Sequence, residues 1–255
     1  MKGKRFKENK KSQQKKKAIV TILLLLFISI MIFSGIKIIM WFKENGENKT
    51  IIENIRHDIY IDENKNGIDK YNVDFNSLKQ KNSDTVAWLK VNGTDIEFPV
   101  VKTTNNDYYM THSFDKSYNS AGWVFADYKN KLDGKDQNTV IYAHNRRDGS
   151  MFATLKNVLN KEWYSNKENL TISLIKEKEK SQYQVFSVYK IEKEDYYITT
   201  SFATTKEFQE FVDTIKGRSI KDFDIEVNTN DNILTLSTCD DDNNYRIVLH
   251  AKKIQ

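Results

Sequence analysis

Leu234-Thr235-Leu236-Ser237-Thr238-Cys239 is an apolar, β-branched run that stops at the polar series Asp240-Asp241-Asp242-Asn243-Asn244. Such alternation marks a half-buried strand, and the polar series marks where it gives way to solvent. Cys239 is the single cysteine in 255 residues, so it has no intramolecular disulfide partner. It lies at the mouth of a strand, where a side chain meets water, and not within an apolar run. Arg246 follows it, and His144 ends a second strand-like run, Thr139-Val140-Ile141-Tyr142-Ala143-His144. A lone thiol with a candidate base and a candidate cation points to thiol nucleophile chemistry.

Short apolar or alternating runs of the same kind recur from Val86 onward. They are Val86–Val91, Ile96–Val101, Gly122–Ala126, Thr139–Ala143, Leu170–Leu174, Tyr183–Tyr189, Ile233–Ser237 and Tyr245–Ala251. Their turn-rich separation predicts a sheet closed on itself, not a series of strand–helix–strand units. One helix intrudes, Thr205 to Lys216, with Phe208, Phe211, Val212 and Ile215 on one face and Gly217 as its stop. Pro99, the only proline, lies in a strand-like run and predicts an edge or a bulge. Ile51, Ile52, Ile55 and Ile59 have near-helical spacing, which predicts a short amphipathic helix within 43–60. Asp74 to Leu89 reads as a further helix or helical turn.

The first 42 residues fix where the thiol works. Residues 1–17 carry nine basic side chains (Lys2, Lys4, Arg5, Lys7, Lys10, Lys11, Lys15, Lys16, Lys17) against Glu8 alone. Ala18 to Ile36 then runs without a charge. As a helix those residues cover roughly 28 Å, close to the hydrocarbon thickness of a bilayer. Lys37 can snorkel, the apolar character resumes in Ile38-Ile39-Met40-Trp41-Phe42, and Trp41 suits the interface. The run exceeds the apolar core of a cleaved signal peptide, and no small-x-small site follows Phe42. The expectation is a retained single-pass anchor in the cell membrane, with the basic N-terminus cytoplasmic and the remainder outside.

The chain's net charge is +5, and removing the tail's +8 leaves −3 for everything after it. The basic character therefore belongs to the membrane tail and implies no nucleic-acid partner. The expected organisation is a cytoplasmic tail at 1–17, an anchor at 18–42, a membrane-proximal helical segment at 43–74 and one catalytic domain at 75–255. That domain is long enough for a substantial core and, lacking disulfides, depends on packing.

Several segments together resemble one family. Thr235-Leu236-Ser237-Thr238-Cys239 with downstream Arg246, and Tyr142-Ala143-His144-Asn145 followed by Asp148-Gly149-Ser150-Met151-Phe152, are similar to sortases, the membrane-anchored cysteine transpeptidases of Gram-positive bacteria. Gly122-Trp123-Val124-Phe125-Ala126-Asp127-Tyr128, Asn105-Asn106-Asp107-Tyr108-Tyr109 and the Phe208–Ile215 helix followed by Arg218-Ser219 are similar to class B in particular. The five motifs stand in order at compatible spacing over about 75–255. One departure is the seven-residue spacing from Cys239 to Arg246, shorter than the family pattern; the shortening falls in the Asp240–Asn244 turn.

The resemblance implies a mainly β (α+β) fold: a closed sortase-type β-barrel of about eight strands, N-terminal helices, and one helix inserted in a late strand connection. It implies cleavage of a C-terminal sorting signal, similar to Asn-Pro-x-Thr or Ser-Pro-x-Thr, after its threonine. The threonine would then be joined to an amine of a peptidoglycan precursor or cross-bridge. The partners are thus signal-bearing surface proteins, that cell-wall amine and the membrane. No cofactor is implied. Cys239 would be the nucleophile, His144 the acid/base and Arg246 the stabiliser of the carbonyl oxygen. Asn106, Tyr142, Tyr197, Ile198 and Ser237 match groove-lining positions, and Ser237 and Thr238 stand beside the nucleophile.

The residue types suit those roles independently. Amide attack requires a thiolate or a thiol paired with a base, and imidazole titrates in the right range. The leaving nitrogen must gain a proton, a task for a histidine cation. Charge developing on the carbonyl oxygen calls for a donor charged at any physiological pH, which guanidinium is. Among the other histidines, His57 falls in the membrane-proximal segment, His112 in a polar turn, and His250 lies four strand residues, roughly 13 Å, from Arg246.

Two metal readings fail. Asp62-Glu63-Asn64-Lys65-Asn66-Gly67 opens like a calcium loop, but Val73 occupies the position that needs a bidentate glutamate. Asp240-Asp241-Asp242 reads as a solvated loop, and no His/Cys cluster suits zinc. Two other functional classes use the same residues: a thiol peptidase that only hydrolyses, and a non-catalytic tethered binding or redox module. Fold alone does not separate them.

Overall fold

The computed structural model describes residues 2–65, 67–239 and 245–255, with side chains from 13–65, 67–238 and 245–255. Two units divide the chain, one up to Glu47 and one from Asn48 to Gln255. The first is the larger part of helix α1 (Lys2–Arg56), whose side chains from Ile19 to Phe42 are exposed and overwhelmingly apolar. It is long and apolar enough to cross a membrane. In hydrocarbon every backbone N–H must find its partner within the segment, and an unbroken helix achieves that.

The second unit takes in the end of α1, where Ile55 is buried and Ile51 and Ile52 pack against the core. The predicted 43–60 helix is thus not a separate element: α1 runs through Lys37 and Gly46 without a break, and Ile59 starts a strand. Strands β1 (Ile59–Ile61) and β2 (Tyr71–Val73) form a small antiparallel sheet. Helix α2 (Phe75–Lys81) follows, capped by the Asp74 carboxylate, which accepts from the Ser77 amide. The Asp74–Leu89 stretch is therefore helical only in its first half, because β3 (Thr85–Val91) begins within it.

Beyond β3 come β4 (Glu97–Val101), β5 (Phe125–Ala126), β6 (Asn138–His144), α3 (Lys161–Ser165), β7 (Thr171–Lys176), β8 (Glu179–Glu192), α4 (Thr205–Gly217), β9 (Ile233–Cys239) and β10 (Tyr245–Lys253). Eight of these strands close a barrel in the order β10-β8-β7-β3-β4-β5-β6-β9. The β4–β5 and β6–β9 pairs are parallel and the rest antiparallel. The fold is the closed, mainly β barrel with a helical N-terminus and a helix between its last long strands that the sequence predicts. Pro99 pairs with Trp88 on one side, while the β4–β5 ladder on the other holds only Val101 and Phe125, so its missing N–H breaks no ladder bond.

Period-two alternation divides the late strands between two cores. Leu234, Leu236 and Leu249 belong to the barrel core with Trp88, Leu89 and Ile141. Ile233 and Val248 point the other way and pack under α4 with Phe208, Phe211, Val212 and Ile215. Those four α4 residues recur at helical spacing and form its buried face. Thr204 caps α4 by accepting from the Glu207 amide. Gly217 lies inside the helix and Arg218 caps it in ordinary right-handed geometry, so no left-handed glycine stop is used.

Candidate active site

The parallel β6–β9 ladder sets the site. Its pairs run Val140 with Thr235, Tyr142 with Ser237 and His144 with Cys239. Residues opposite each other in a ladder share a face, and neighbouring strands lie about 4.8 Å apart. His144 and Cys239 are thus level on adjacent strands, at the ends of both. On the other side, β10 pairs antiparallel with β9, Val248 opposite Ser237. Two residues further along that line stand Arg246 and Cys239. The Ile247 amide donates to Thr238 Oγ1 at 3.0 Å, which carries the β9–β10 contact past the last ladder pair. The sequence motifs, about 95 residues apart in the chain for His144 and Cys239, converge on one strand end.

Ile233 and Val248 share this face and pack under α4, so the site is on the outside of the barrel, beyond the helix's cover. Arg246 is half-buried, and its Nη1 donates to the Tyr245 carbonyl at 3.2 Å.

His144 is buried and held from several sides. Its Nε2 lies 2.8 Å from the Met110 carbonyl oxygen. A carbonyl can only accept, so Nε2 carries the hydrogen, and in the neutral ring Nδ1 is the basic nitrogen. The Phe152 amide donates to the His144 carbonyl at 2.9 Å, and Asn145 bridges to Met151, folding back the loop that follows. In that loop Asp148 accepts from Arg146 and from Ser150. Burial alone would raise the Asp148 carboxyl, but these hydrogen bonds outweigh it and hold the group below its ordinary value. Gly122 closes the other side at φ +59: a Cβ there would lie 2.4 Å from the Tyr109 carbonyl oxygen, 2.9 Å from that of Met110 and 3.0 Å from His144 Cδ2. Only glycine gives the backbone this conformation and this approach.

The groove candidates form two groups. Tyr197, in a helical turn at Tyr196–Ile198, is buried, and its hydroxyl is 3.1 Å from Ser237 Oγ. Ile198 packs partly buried beside it. Asn138 steadies that turn, its carboxamide donating to the Tyr197 and Thr199 carbonyls. On the other side, Asn106 and Tyr142 meet at Asp127, whose Oδ2 accepts from both at 2.9 Å. Thr238 points to the opposite face from Ser237, and its hydroxyl is engaged by Ile247.

The other histidines stand elsewhere. His250 is fully buried under α4 between Thr235 Oγ1 and the Tyr189 hydroxyl, each 2.8 Å away. His112 stacks on Tyr108, and His57 is exposed near the end of α1. Sequence reasoning missed Met110, Gly122 and Asp127 as parts of the site. A main-chain carbonyl leaves no mark on composition; Gly122 and Asp127 lie within the Gly122-to-Tyr128 motif, but nothing in the sequence gives either a role there. Among the described residues no group of three or more His, Cys, Asp or Glu side chains is placed to hold a metal. The Asp62 segment is a turn, its carboxylate accepting from the Asn64 amide and Gly67 at φ +58. Asp240, Asp241 and Asp242 lie outside the described residues.

The family model for the sortase domain matches residues 89–254. Sortase B of Listeria monocytogenes is 34% identical over 240 residues, covering 89% of this chain and 93% of its own. A Staphylococcus aureus sortase B–substrate complex superposes with a TM-score of 0.67 at 35% identity, covering 71% of this chain and 85% of the other. Sortase B from Bacillus anthracis superposes at 0.72 with 31% identity, covering 84% and 99%. The chain belongs to the sortase family, within class B, and is an enzyme of that family's kind, a cysteine transpeptidase.

Proposed function

We propose that Cys239 is the nucleophile, His144 the acid/base and Arg246 the oxyanion donor of a transpeptidase that anchors surface proteins to peptidoglycan. The observation that supports this reading best is the register that sets His144 level with Cys239 on adjacent strands. The Cys239 thiol gives its proton to His144 Nδ1 and attacks the threonine carbonyl of an Asn/Ser-Pro-x-Thr-like signal. Arg246 donates to the oxygen as it becomes anionic. The Met110 carbonyl retains the Nε2 hydrogen throughout and fixes which nitrogen exchanges protons, as an orienting acceptor does for a catalytic base. Nδ1 then protonates the departing amide nitrogen, the C–N bond breaks, and a thioester remains on Cys239. A peptidoglycan amine attacks that thioester, loses a proton to Nδ1, and leaves with a new amide as the thiol is restored.

Ser237, Asn106, Tyr142, Tyr197 and Ile198 are assigned to signal binding, with Thr238 contributing its main chain beside the nucleophile and not its buried hydroxyl. The anchor holds the domain outside the membrane with the basic tail in the cytoplasm, in keeping with the positive-inside bias. The test uses the full chain in detergent with a quenched peptide panel of Asn-Pro-x-Thr, Ser-Pro-x-Thr and Leu-Pro-x-Thr signals, and products identified by mass with and without an amine acceptor. Cleavage after threonine that requires Cys239, with product diverted to the acceptor, is expected. Hydrolysis indifferent to the acceptor contradicts transfer, and cleavage retained in Cys239→Ala contradicts the assignment.

A further inference from the structure

Asp127 follows β5 and is buried, its amide donating to the Val140 carbonyl at 2.9 Å. Its carboxylate accepts from a set of neutral donors: Asn106 Nδ2 and the Tyr142 hydroxyl on Oδ2, both at 2.9 Å, and the Lys129 amide on Oδ1 at 2.8 Å. Burying an anion is costly unless its hydrogen bonds are complete, and bonds to an ionised acceptor are short and strong. A neutral acceptor would satisfy the same donors more cheaply. What the carboxylate adds is orientation: as an acceptor only, it dictates which way both partners face.

The consequence falls on the two residues assigned to the groove. Asn106 Oδ1 accepts from the Tyr128 amide at 3.0 Å while Nδ2 donates to Asp127, so its carboxamide cannot flip. The Tyr142 hydroxyl commits its single hydrogen to Asp127, so toward any further partner its oxygen can only accept. Tyr142 shares the strand face of His144, two residues and roughly 6–7 Å away, so this cluster lies beside the reacting atoms and not among them.

We propose that Asp127 is the positioning residue of the signal groove, fixing the hydrogen-bonding sense of Asn106 and Tyr142 so that the sorting signal meets a preset pair. This rests on the proposed function and specifies how its groove is held. In Asp127→Asn the amide end presents donors to donors, and Asn106 is left held from the Tyr128 side alone.

The test is steady-state cleavage by the full chain in detergent, using the peptide that wild type cleaves best. In parallel, peptide Kd is measured in the Cys239→Ala background, a readout independent of turnover. Asp127→Asn is expected to raise KM and Kd about tenfold with kcat within about twofold, the loss of one charge-assisted bond. Asn106→Ala is expected to do the same, and Asp127→Asn on top of it to add less than about twofold, since the residues act as a unit. An unchanged KM and Kd, a fall in kcat alone, or additive effects overturn the proposal. If Asp127→Asn does not fold, Asn106→Ala and Tyr142→Phe combined decide the same question: less than additive supports the shared carboxylate, additive overturns it. Wild type that cleaves no signal through Cys239 contradicts the proposed function instead, and the Kd series, run with whichever panel peptide binds tightest, still decides the role of Asp127.

Discussion

Gly122→Ala is the substitution whose effect follows most directly from the geometry around His144. The new Cβ would sit 2.4 Å from the Tyr109 carbonyl oxygen and 2.9 Å from that of Met110. Both obstacles are main chain and cannot rotate aside; the Trp123 amide also donates to the Tyr109 carbonyl at 2.9 Å. A left-handed alanine costs about 1 kcal/mol, and forcing apart a packed contact adds about 1–3 kcal/mol. The expected loss is thus about 2–4 kcal/mol, or roughly 5–15 °C in Tm for a domain of this size. The Met110 carbonyl that must move is the one holding His144 Nε2, so the ring moves with it. A shift of about 1 Å in such a group costs about a hundredfold in rate. Thermal melting and Cys239-dependent peptide cleavage by the full chain in detergent measure both parts. A wild-type Tm refutes the steric reasoning. A lowered Tm with undiminished kcat in the folded fraction refutes the link from Gly122 through Met110 to His144.

Tyr197→Phe removes the hydroxyl that meets Ser237 Oγ at 3.1 Å. The loss of about 1 kcal/mol is expected to raise KM about fivefold with kcat nearly unchanged; a tenfold fall in kcat at constant KM contradicts this assignment. His250 makes stability depend on acidity. Burial pushes its imidazole from 6.5 down to about 3, so below about 6.5 the unfolded chain binds a proton that the folded chain refuses. Stability should fall as pH drops through that range, by about 1 kcal/mol per pH unit. Glu179, held at about 2 by Lys176 and Lys253, contributes its own loss only below its ordinary value of 4.5. Between about pH 6.5 and 4.5, His250→Gln should therefore flatten the decline in Tm; a variant with the wild-type slope contradicts the reading.

Much of the barrel was legible because its strands carry their signal locally. Each of the eight sequence runs contains or overlaps a barrel strand, and the α4 face of Phe208, Phe211, Val212 and Ile215 appears at the spacing the sequence shows. What was not legible depends on context. Lys37 and Gly46 look like interruptions, yet intrahelical bonds carry α1 past both. β1 and β2 have three residues each, too few for a period to emerge, and pair across the Asp62 turn. Gly122-Trp123-Val124 has strand composition, but the Trp123 amide turns to the Tyr109 carbonyl, leaving only Phe125 and Ala126 in β5.

The candidate site divides in the same manner. Cys239, His144 and Arg246 stand at ends of recognisable strands, so chemistry and position could be read together. The partners of His144 could not: Met110 contributes a carbonyl, for which any residue type serves, and Gly122 contributes the lack of a Cβ. Asp127 resembles a turn acid in the sequence, and its role emerges only where Asn106 and Tyr142 converge on it.

The most direct test of Cys239 as the nucleophile is a covalent one. The full chain is incubated with its preferred signal peptide in the absence of any amine acceptor, quenched in acid, and examined by intact mass and by mapping of the modified residue. The expected product is an adduct equal to the signal's N-terminal fragment through threonine, joined as a thioester to Cys239, absent from Cys239→Ala and discharged by added amine. A cleaved peptide with no adduct on Cys239, or an adduct on another residue that amine discharges, would contradict that chemistry.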